Sequence, residues 1–342
     1  MKLNKNIKKR KRINYVNCPS YRSLFFAIYL HDKGEKVVVV TLNNNVKRFC
    51  KKVGIDYIFL PKPINKSLNF LNLLFRFRRR VNDILNKINI QKSDRFYLLD
   101  NCFTLEGFYF VKKFSEKGEV LFSCLYDHVL PFKGGFSINW FMRVILKFIV
   151  KYVSDIKLIF RDVNSKPVLG INKDFLDTYG IHEVDIDYGK IKAKVVNKSS
   201  LKLEMHDNLF IDQGLLSLNI LNKESVLNLY KNLFSMKIDL AIKEHPNFKT
   251  ESNLYIEKVF YQDYVPVELI FGNIKKNIIS IYSSSLISAS EFKNIKAISL
   301  LELVEWKNKI YKQKTKQKLV KVAKNKIIFV KSFDELKRIL SK

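Results

Sequence analysis

Short apolar runs alternate with longer amphipathic stretches along most of this chain. Ile13-Asn14-Tyr15-Val16 reads as a first strand that ends at Asn17-Cys18-Pro19-Ser20. Arg22 to Leu30 has helical spacing, and Lys33-Gly34-Glu35 turns the chain into Val37-Val38-Val39-Val40. That second strand is uninterrupted by polar residues, the mark of a parallel sheet buried on both faces. Tyr57 to Leu60, Arg95 to Leu99 and Val120 to Leu125 are further strand candidates, with helical patterns at Ser67 to Asn89 and Leu105 to Lys117. Strand–helix alternation of this kind predicts a doubly wound domain.

The same rhythm returns later. Leu209-Phe210-Ile211 predicts a strand ending at Asp212-Gln213-Gly214, followed by a helix over Glu224 to Phe234 and a strand over Ile238 to Ile242. Val265 to Phe271 reads as a short helix, Ile278 to Ile281 as a strand, and Ser285 to Phe292 as a helix. Ala297-Ile298 is a last strand candidate, and the C-terminal pieces, including Phe333 to Leu340, are helical. Between the halves, Lys157 to Glu204 is broken by Pro167, Gly170, Gly180 and Gly189. At 342 residues the chain exceeds the usual size of one core. The expectation is an α/β protein of two lobes facing across a cleft: residues 1–160, a bridge at 161–206, and residues 207–342.

One stretch departs from this pattern. In Ser137 to Val153, Trp140, Phe141, Val144, Ile145, Phe148, Ile149 and Tyr152 share one helical face, while Arg143, Lys147 and Lys151 recur every four residues. A basic amphipathic helix with aromatics reads either as an interfacial membrane helix or as a helix packed on its own sheet. Arg76, Arg78, Arg79 and Arg80, after an apolar run from Leu71, extend such a basic surface.

Composition adds a large charge. The formal net charge of +30 draws the protein toward polyanions: nucleic acid, anionic lipid or acidic glycan. Lysine and asparagine dominate the polar residues, so compositional bias accounts for part of it. A hydrophobic content of 47% argues against disorder. Cys18, Cys50, Cys102 and Cys124 are scattered without a C-x-x-C pair, which fits a reduced compartment. No stretch reaches roughly 18 uncharged apolar residues, so no spanning helix is expected. The expected location is cytoplasmic, at most peripheral on the inner face of a membrane.

Candidate chemistry gathers at two strand ends. Lys243-Glu244-His245-Pro246 follows one apolar run, and Tyr282-Ser283-Ser284-Ser285 follows another, with Glu268 between them. Open α/β sheets place ligands at such carboxyl ends. Histidine can neutralise or protonate a phosphate, serine hydroxyls with helix-start amides can cradle one, and a carboxylate can bind a ribose diol. Three consecutive serines exceed what a helix cap needs. The pattern points to a nucleotide-sugar site. Asp185-Ile186-Asp187 matches the Asp-x-Asp of metal-dependent sugar transferases, but it alternates with apolar residues like an ordinary strand. No metal site is therefore expected, and neither G-x-x-x-x-G-K-[ST] nor G-x-G-x-x-G is present.

Lys243-x-His245-Pro246, Pro266-Val267-Glu268 and Tyr282-Ser283-Ser284-Ser285 together resemble the donor half of bacterial sialyltransferases of glycosyltransferase family 52, relatives of the capsular polysialyltransferases. The resemblance runs from Leu209 to Phe292 and implies a GT-B-like fold of two Rossmann-like lobes. It implies that His245 contacts the phosphate of a CMP-activated sugar, that Ser284 and Ser285 hold that phosphate, and that Glu268 binds the ribose. Lys243, Pro246 and Ser283 complete that donor set. The families' acidic motif in the first lobe corresponds to Tyr126-Asp127-His128-Val129, where His128 replaces the second acid and Val129 the glycine.

Either Asp127 or His128 could take the acceptor proton, since an unperturbed imidazole titrates at about 6.5, and Asp212 is a further candidate. The implied activity is inverting, metal-independent and without a cofactor. It moves sialic acid or a related nonulosonic acid from a CMP-sugar to a glycan or glycolipid acceptor, such as lipooligosaccharide or capsule. The alternatives are a UDP- or GDP-sugar or CMP-Kdo donor on the same fold, and a basic nucleic-acid-binding protein. The last is disfavoured because no basic–aromatic binding module is present, so no nucleic-acid partner is expected. An anionic membrane surface is the expected partner for the charge.

Overall fold

The computed structural model describes residues 10–60, 70–99, 105–123, 140–163, 166–169, 173–187, 190–191, 194–195, 203–214, 220–245 and 258–341. The chain divides into two units, Met1–Ala193 and Lys194–Lys342. Thus 161–193, expected as most of a bridge, falls within the first unit.

In the first unit β1 (Ile13–Asn17) leads through α1 (Tyr21–Asp32) to β2 (Lys36–Thr41), and α2 (Asn44–Val53) leads to β3 (Asp56–Phe59). Then follow α3 (Phe70–Leu85), β4 (Arg95–Leu99), α4 (Leu105–Ser115), β5 (Glu119–Ser123) and α5 (Trp140–Ser154). A small antiparallel pair, β6 (Phe160–Val163) with β7 (Lys166–Leu169), precedes α6 (Lys173–Thr178) and the two-residue β8 (His182–Glu183). The sheet order is β3-β2-β1-β4-β5-β8, with every pairing parallel. Val37, Val39 and Val40 are buried, as their apolar run requires. The buried Asp94 carboxylate aligns the starts of β1 and β4, accepting from the Ile13 and Gln91 amides at 2.9 Å each and from Arg10 at 3.1 Å.

Helix α2 was not marked by the apolar pattern, because its Lys- and Asn-rich sequence buries only Asn45, Val46, Phe49 and Cys50. Asn43 caps it, accepting from the Asn45 amide at 2.9 Å, and Gly54 ends it at φ 77°, a left-handed conformation that suits glycine.

Helix α5 divides its apolar residues between two sides. Val150 lies in the unit's core, with Leu146 and Ile149 packed beside it. Phe141, Phe148 and Tyr152, spaced to share one helical stripe, are 65, 76 and 92% exposed. The helix therefore packs on its own unit and still presents an aromatic stripe to solvent. Among the described residues no helix is long and apolar enough to cross a membrane.

The second unit repeats the topology of the first. Its strands are β9 (His206–Ile211), β10 (Leu240–Lys243), β11 (Val259–Tyr261), β12 (Ile274–Ser280), β13 (Lys296–Ser299) and β14 (Ile327–Phe329). Helix α7 (Lys223–Phe234) joins β9 to β10, α8 (Ser285–Ala289) joins β12 to β13, and α9 (Lys309–Val322) joins β13 to β14. Helix α10 (Phe333–Leu340) closes the chain. The order is β11-β10-β9-β12-β13-β14, again all parallel. Counted within each unit, both sheets run 3-2-1-4-5-6, the doubly wound order whose reversal lies between the first and fourth strands.

Three local expectations change. Val265 to Phe271 forms no α-helix but two 3-10 turns, Val267–Leu269 and Phe271–Asn273, in a short connection that holds both Pro266 and Gly272. The helix expected over Ser285 to Phe292 stops at Ala289. Asp185 to Asp187 is not a strand, and Asp187 instead pairs with Lys190 on the surface at 3.1 Å.

Candidate functional site

All second-unit strands point the same way, so the carboxyl ends of β10, β9 and β12 lie side by side. Strand β9 is the hub. Beyond it the Asp212 amide donates to the Lys243 carbonyl at 3.0 Å, extending the ladder by one step. The Asp212 side chain is 1% exposed and accepts from the Gly214 amide at 3.0 Å and the Tyr230 hydroxyl at 2.5 Å. Its carboxylate therefore shapes the loop, holding Gly214 at φ 60° where glycine carries no Cβ penalty. Tyr230 comes from α7, so the helix after β9 is tied to the strand end that precedes it.

Gln213 joins this edge to the serine segment. Its Oε1 accepts from the Tyr282 amide at 3.0 Å and lies 3.2 Å from the Ser280 hydroxyl, which donates to the Ile211 carbonyl at 2.8 Å. Ser283 is 9% exposed, and its Oγ accepts from the Ser285 amide at 3.1 Å. Ser283 thus folds the turn, while Ser284 is exposed and makes no side-chain cap bond. Among the described residues the Ser284 and Ser285 hydroxyls have no hydrogen-bond partner. The 3-10 turn carrying Glu268 packs against the short α8 that follows them.

Lys243 closes β10 and is 3% exposed. Its Nζ donates to the Glu244 carbonyl at 3.0 Å and the Asp263 carbonyl at 3.1 Å, tying the strand end to the turn after β11. Burial pushes its pKa down to about 8, against the opposing pull of Asp263, Glu244 and Glu268. The half-buried His245 follows two residues on. Burial lowers its pKa below the usual histidine value and Lys243 adds to this, while Asp212 works the other way. At neutral pH the imidazole is uncharged, able to take a proton as negative charge grows beside it.

The structure thus gathers Lys243, His245, Asp212, Glu268 and Ser283 to Ser285 at one sheet edge. Pro246, Asp127 and His128 lie outside the described residues. Gln213 and Ser280 were missed, although a polar amide immediately after the first strand of a doubly wound sheet is itself a signal. Among the described residues no cluster of three His, Cys, Asp or Glu side chains is placed to hold a metal ion.

Two all-parallel, doubly wound sheets define the class of fold. Residues 161–302, which include the whole of this edge, match the family model of the alpha-2,8-polysialyltransferases. That match, over 142 of the 342 residues, supports a sialyltransferase-like glycosyltransferase. No curated protein matches it. Among solved structures, it is similar to a glycosyltransferase from Rickettsia africae at 13% identity, over 97% of this chain and 94% of that one, with a TM-score of 0.37. It is also similar to the UDP-GlcNAc 2-epimerase of Neisseria meningitidis at 10% identity, over 97% and 98%, with a TM-score of 0.40. A calicheamicin glycosyltransferase gives 10% identity, 97% and 91% coverage, and a TM-score of 0.40. Strand order and register define the fold.

Replacing Lys243 by methionine tests its structural part. The Glu244 and Asp263 carbonyls lose their shared donor, an expected cost of about 1–3 kcal/mol read from denaturant unfolding. The pH dependence has a definite sign. Between about 8 and 10.5 the unfolded lysine keeps a proton that the folded one has released, so wild-type stability should rise with pH there. The methionine variant should lack that rise, and equal slopes would show that Lys243 does not titrate as its burial requires.

Proposed function

We propose that the chain transfers sialic acid, or a related nonulosonic acid, from its CMP-activated form to a cell-surface glycan. The supporting observation is the convergence of His245 and the Ser280–Ser285 segment beside the reversal point of the second sheet, inside the segment matching the polysialyltransferase model. The similarity to the alpha-2,8-polysialyltransferases suggests alpha-2,8 chain extension on an acidic glycan, whether capsule or lipooligosaccharide.

In this reading the bond between the anomeric carbon and the phosphate oxygen breaks, and CMP leaves carrying the electron pair. The acceptor hydroxyl oxygen forms the new bond from the opposite face, inverting configuration, and its proton passes to Asp127 or His128. Charge developing on the leaving phosphate is met by His245 and by the Ser284 and Ser285 hydroxyls. Glu268 holds the ribose diol. The scheme needs no metal, because the leaving group's charge is met by hydrogen-bond donors, the His245 N–H among them.

Thermal shift with CMP, UDP and GDP tests the donor. CMP should raise the melting temperature and UDP and GDP should not. His245→Ala should weaken CMP binding by about tenfold or more, the usual loss for a bond to a charged partner. Stabilisation by UDP but not CMP would overturn the reading in favour of another donor. CMP affinity should also rise as pH falls below 7, since a phosphate beside His245 favours the protonated imidazole that burial disfavours in the free protein. Because CMP titrates in the same range, the comparison is with His245→Asn, whose profile should be flatter. Identical profiles would remove His245 from the phosphate.

The finer location is proposed on α5. Its stripe of Phe141, Phe148 and Tyr152 faces away from the core, Lys147 and Lys151 flank it, and the helix contains no acidic residue. Helix α3, with exposed Arg78 and Arg79, packs alongside. Aromatics at the headgroup level with basic flanks fit an anionic leaflet, each cation contributing about 1 kcal/mol. Phe148→Ser with Tyr152→Ser should reduce co-sedimentation with phosphatidylserine vesicles by about tenfold, the scale of about 55 Å² of apolar surface withdrawn from the membrane. Equal wild-type binding to neutral vesicles would rule out the electrostatic part.

A further inference from the structure

Gln213 occupies the one place in the second sheet where the winding reverses, between β9 and β12. Its amide orientation is fixed by chemistry. The Tyr282 backbone nitrogen can only donate, so the atom 3.0 Å from it is the carboxamide oxygen. The Ser280 hydroxyl, 3.2 Å from the same oxygen, has one proton and a shorter bond to the Ile211 carbonyl. Both contacts fall on Oε1, which leaves the two N–H donors of Nε2 uncommitted among the described residues. They are not sealed off either, for among the described residues the buried side-chain polar atoms without partners are those of Asn14, His206 and Asn277.

From this geometry we infer that Gln213 is a phosphate-binding residue, donating an Nε2 hydrogen to an anionic oxygen of the leaving nucleotide. The inference rests on the nucleotide-sugar reading above and adds a donor to it. A neutral amide suits the task. It is held rigidly by the strand it bridges, and it recognises the phosphate whether or not His245 is charged. The same bond to Tyr282 couples the amide to the serine turn, so donor and hydroxyls share one frame. A carboxylate on the transferred sugar offers a similar anionic oxygen, and CMP, which lacks the sugar, separates the two sources.

The experiment measures CMP and cytidine affinity by calorimetry for wild type, Gln213→Glu, Gln213→Met and His245→Ala. Glutamate keeps an oxygen for the Tyr282 amide and replaces the donor by an acceptor, so its melting temperature should stay close to wild type. Its ratio of CMP to cytidine affinity should fall about tenfold or more. The ratio is independent of the fraction folded, and the methionine variant should lower it in the same direction even if it melts earlier. An unchanged ratio in both variants would overturn the assignment, as would equal losses for CMP and cytidine. If His245→Ala loses CMP while Gln213→Glu does not, Gln213 alone is wrongly assigned. If wild type binds no CMP, the donor reading itself fails.

Discussion

Parallelism is the constraint on which the second unit depends. Because β10, β9 and β12 run in one direction, residues scattered from Asp212 to Ser285 arrive at one edge without any long loop. The reversal at β9 then sends the following helices to opposite faces and leaves a crevice at its carboxyl end. Asp212 makes that edge firm. Its amide extends the ladder to Lys243, and its buried carboxylate fixes Gly214 and Tyr230. A charged group with this many partners shapes the site more than it reacts in it.

The strand ends were legible because a buried parallel strand needs a continuous apolar run, and the run's end is where polar chemistry begins. Ile278 to Ile281 marked the serine segment within a residue of where β12 stops. Lys243 could be placed but its environment could not. Counting the apolar run to Ile242 leaves Lys243 looking like the first exposed residue, whereas the ladder to Asp212 carries it inside. Gln213 was invisible for a different reason, since its partners lie 67 and 69 residues away and only the sheet order brings them near. The same limit applies to β8, two residues long, which belongs to the first sheet only through pairing with β5. Helix α2 was hidden by composition, as lysine and asparagine masked three apolar anchors.

The two units share a strand order and a way of fastening neighbouring strand ends. In the first, β1 ends at Asn17-Cys18-Pro19-Ser20, where Thr41 Oγ1 donates to the Cys18 carbonyl at 2.6 Å and Cys18 is fully buried. That contact fastens β2 to the loop after β1, much as Ser280 fastens β12 to the end of β9. Both units thus use a hydroxyl to close the gap between neighbouring strand ends. Among the described residues, the second surrounds that closure with a histidine, a carboxylate and hydroxyls without partners.

The charge of the chain and the chemistry of its edge are separate matters. Of the basic groups at the edge, Lys243 spends its ammonium on two carbonyls and His245 is uncharged near neutrality. The exposed lysines lie elsewhere, as on α9, where Glu302 takes Lys312 and Lys316 at 2.7 Å each but Lys314 and Lys321 stand exposed without an acidic partner among the described residues. Under the proposed reading, nucleotide recognition at the edge would rely on directed, largely neutral donors, which salt screens weakly because they act at contact distance. Attraction to an anionic surface relies on dispersed, solvated cations, which salt screens strongly. On that proposal, charge would bring the molecule to its surface while geometry at the edge would discriminate the donor.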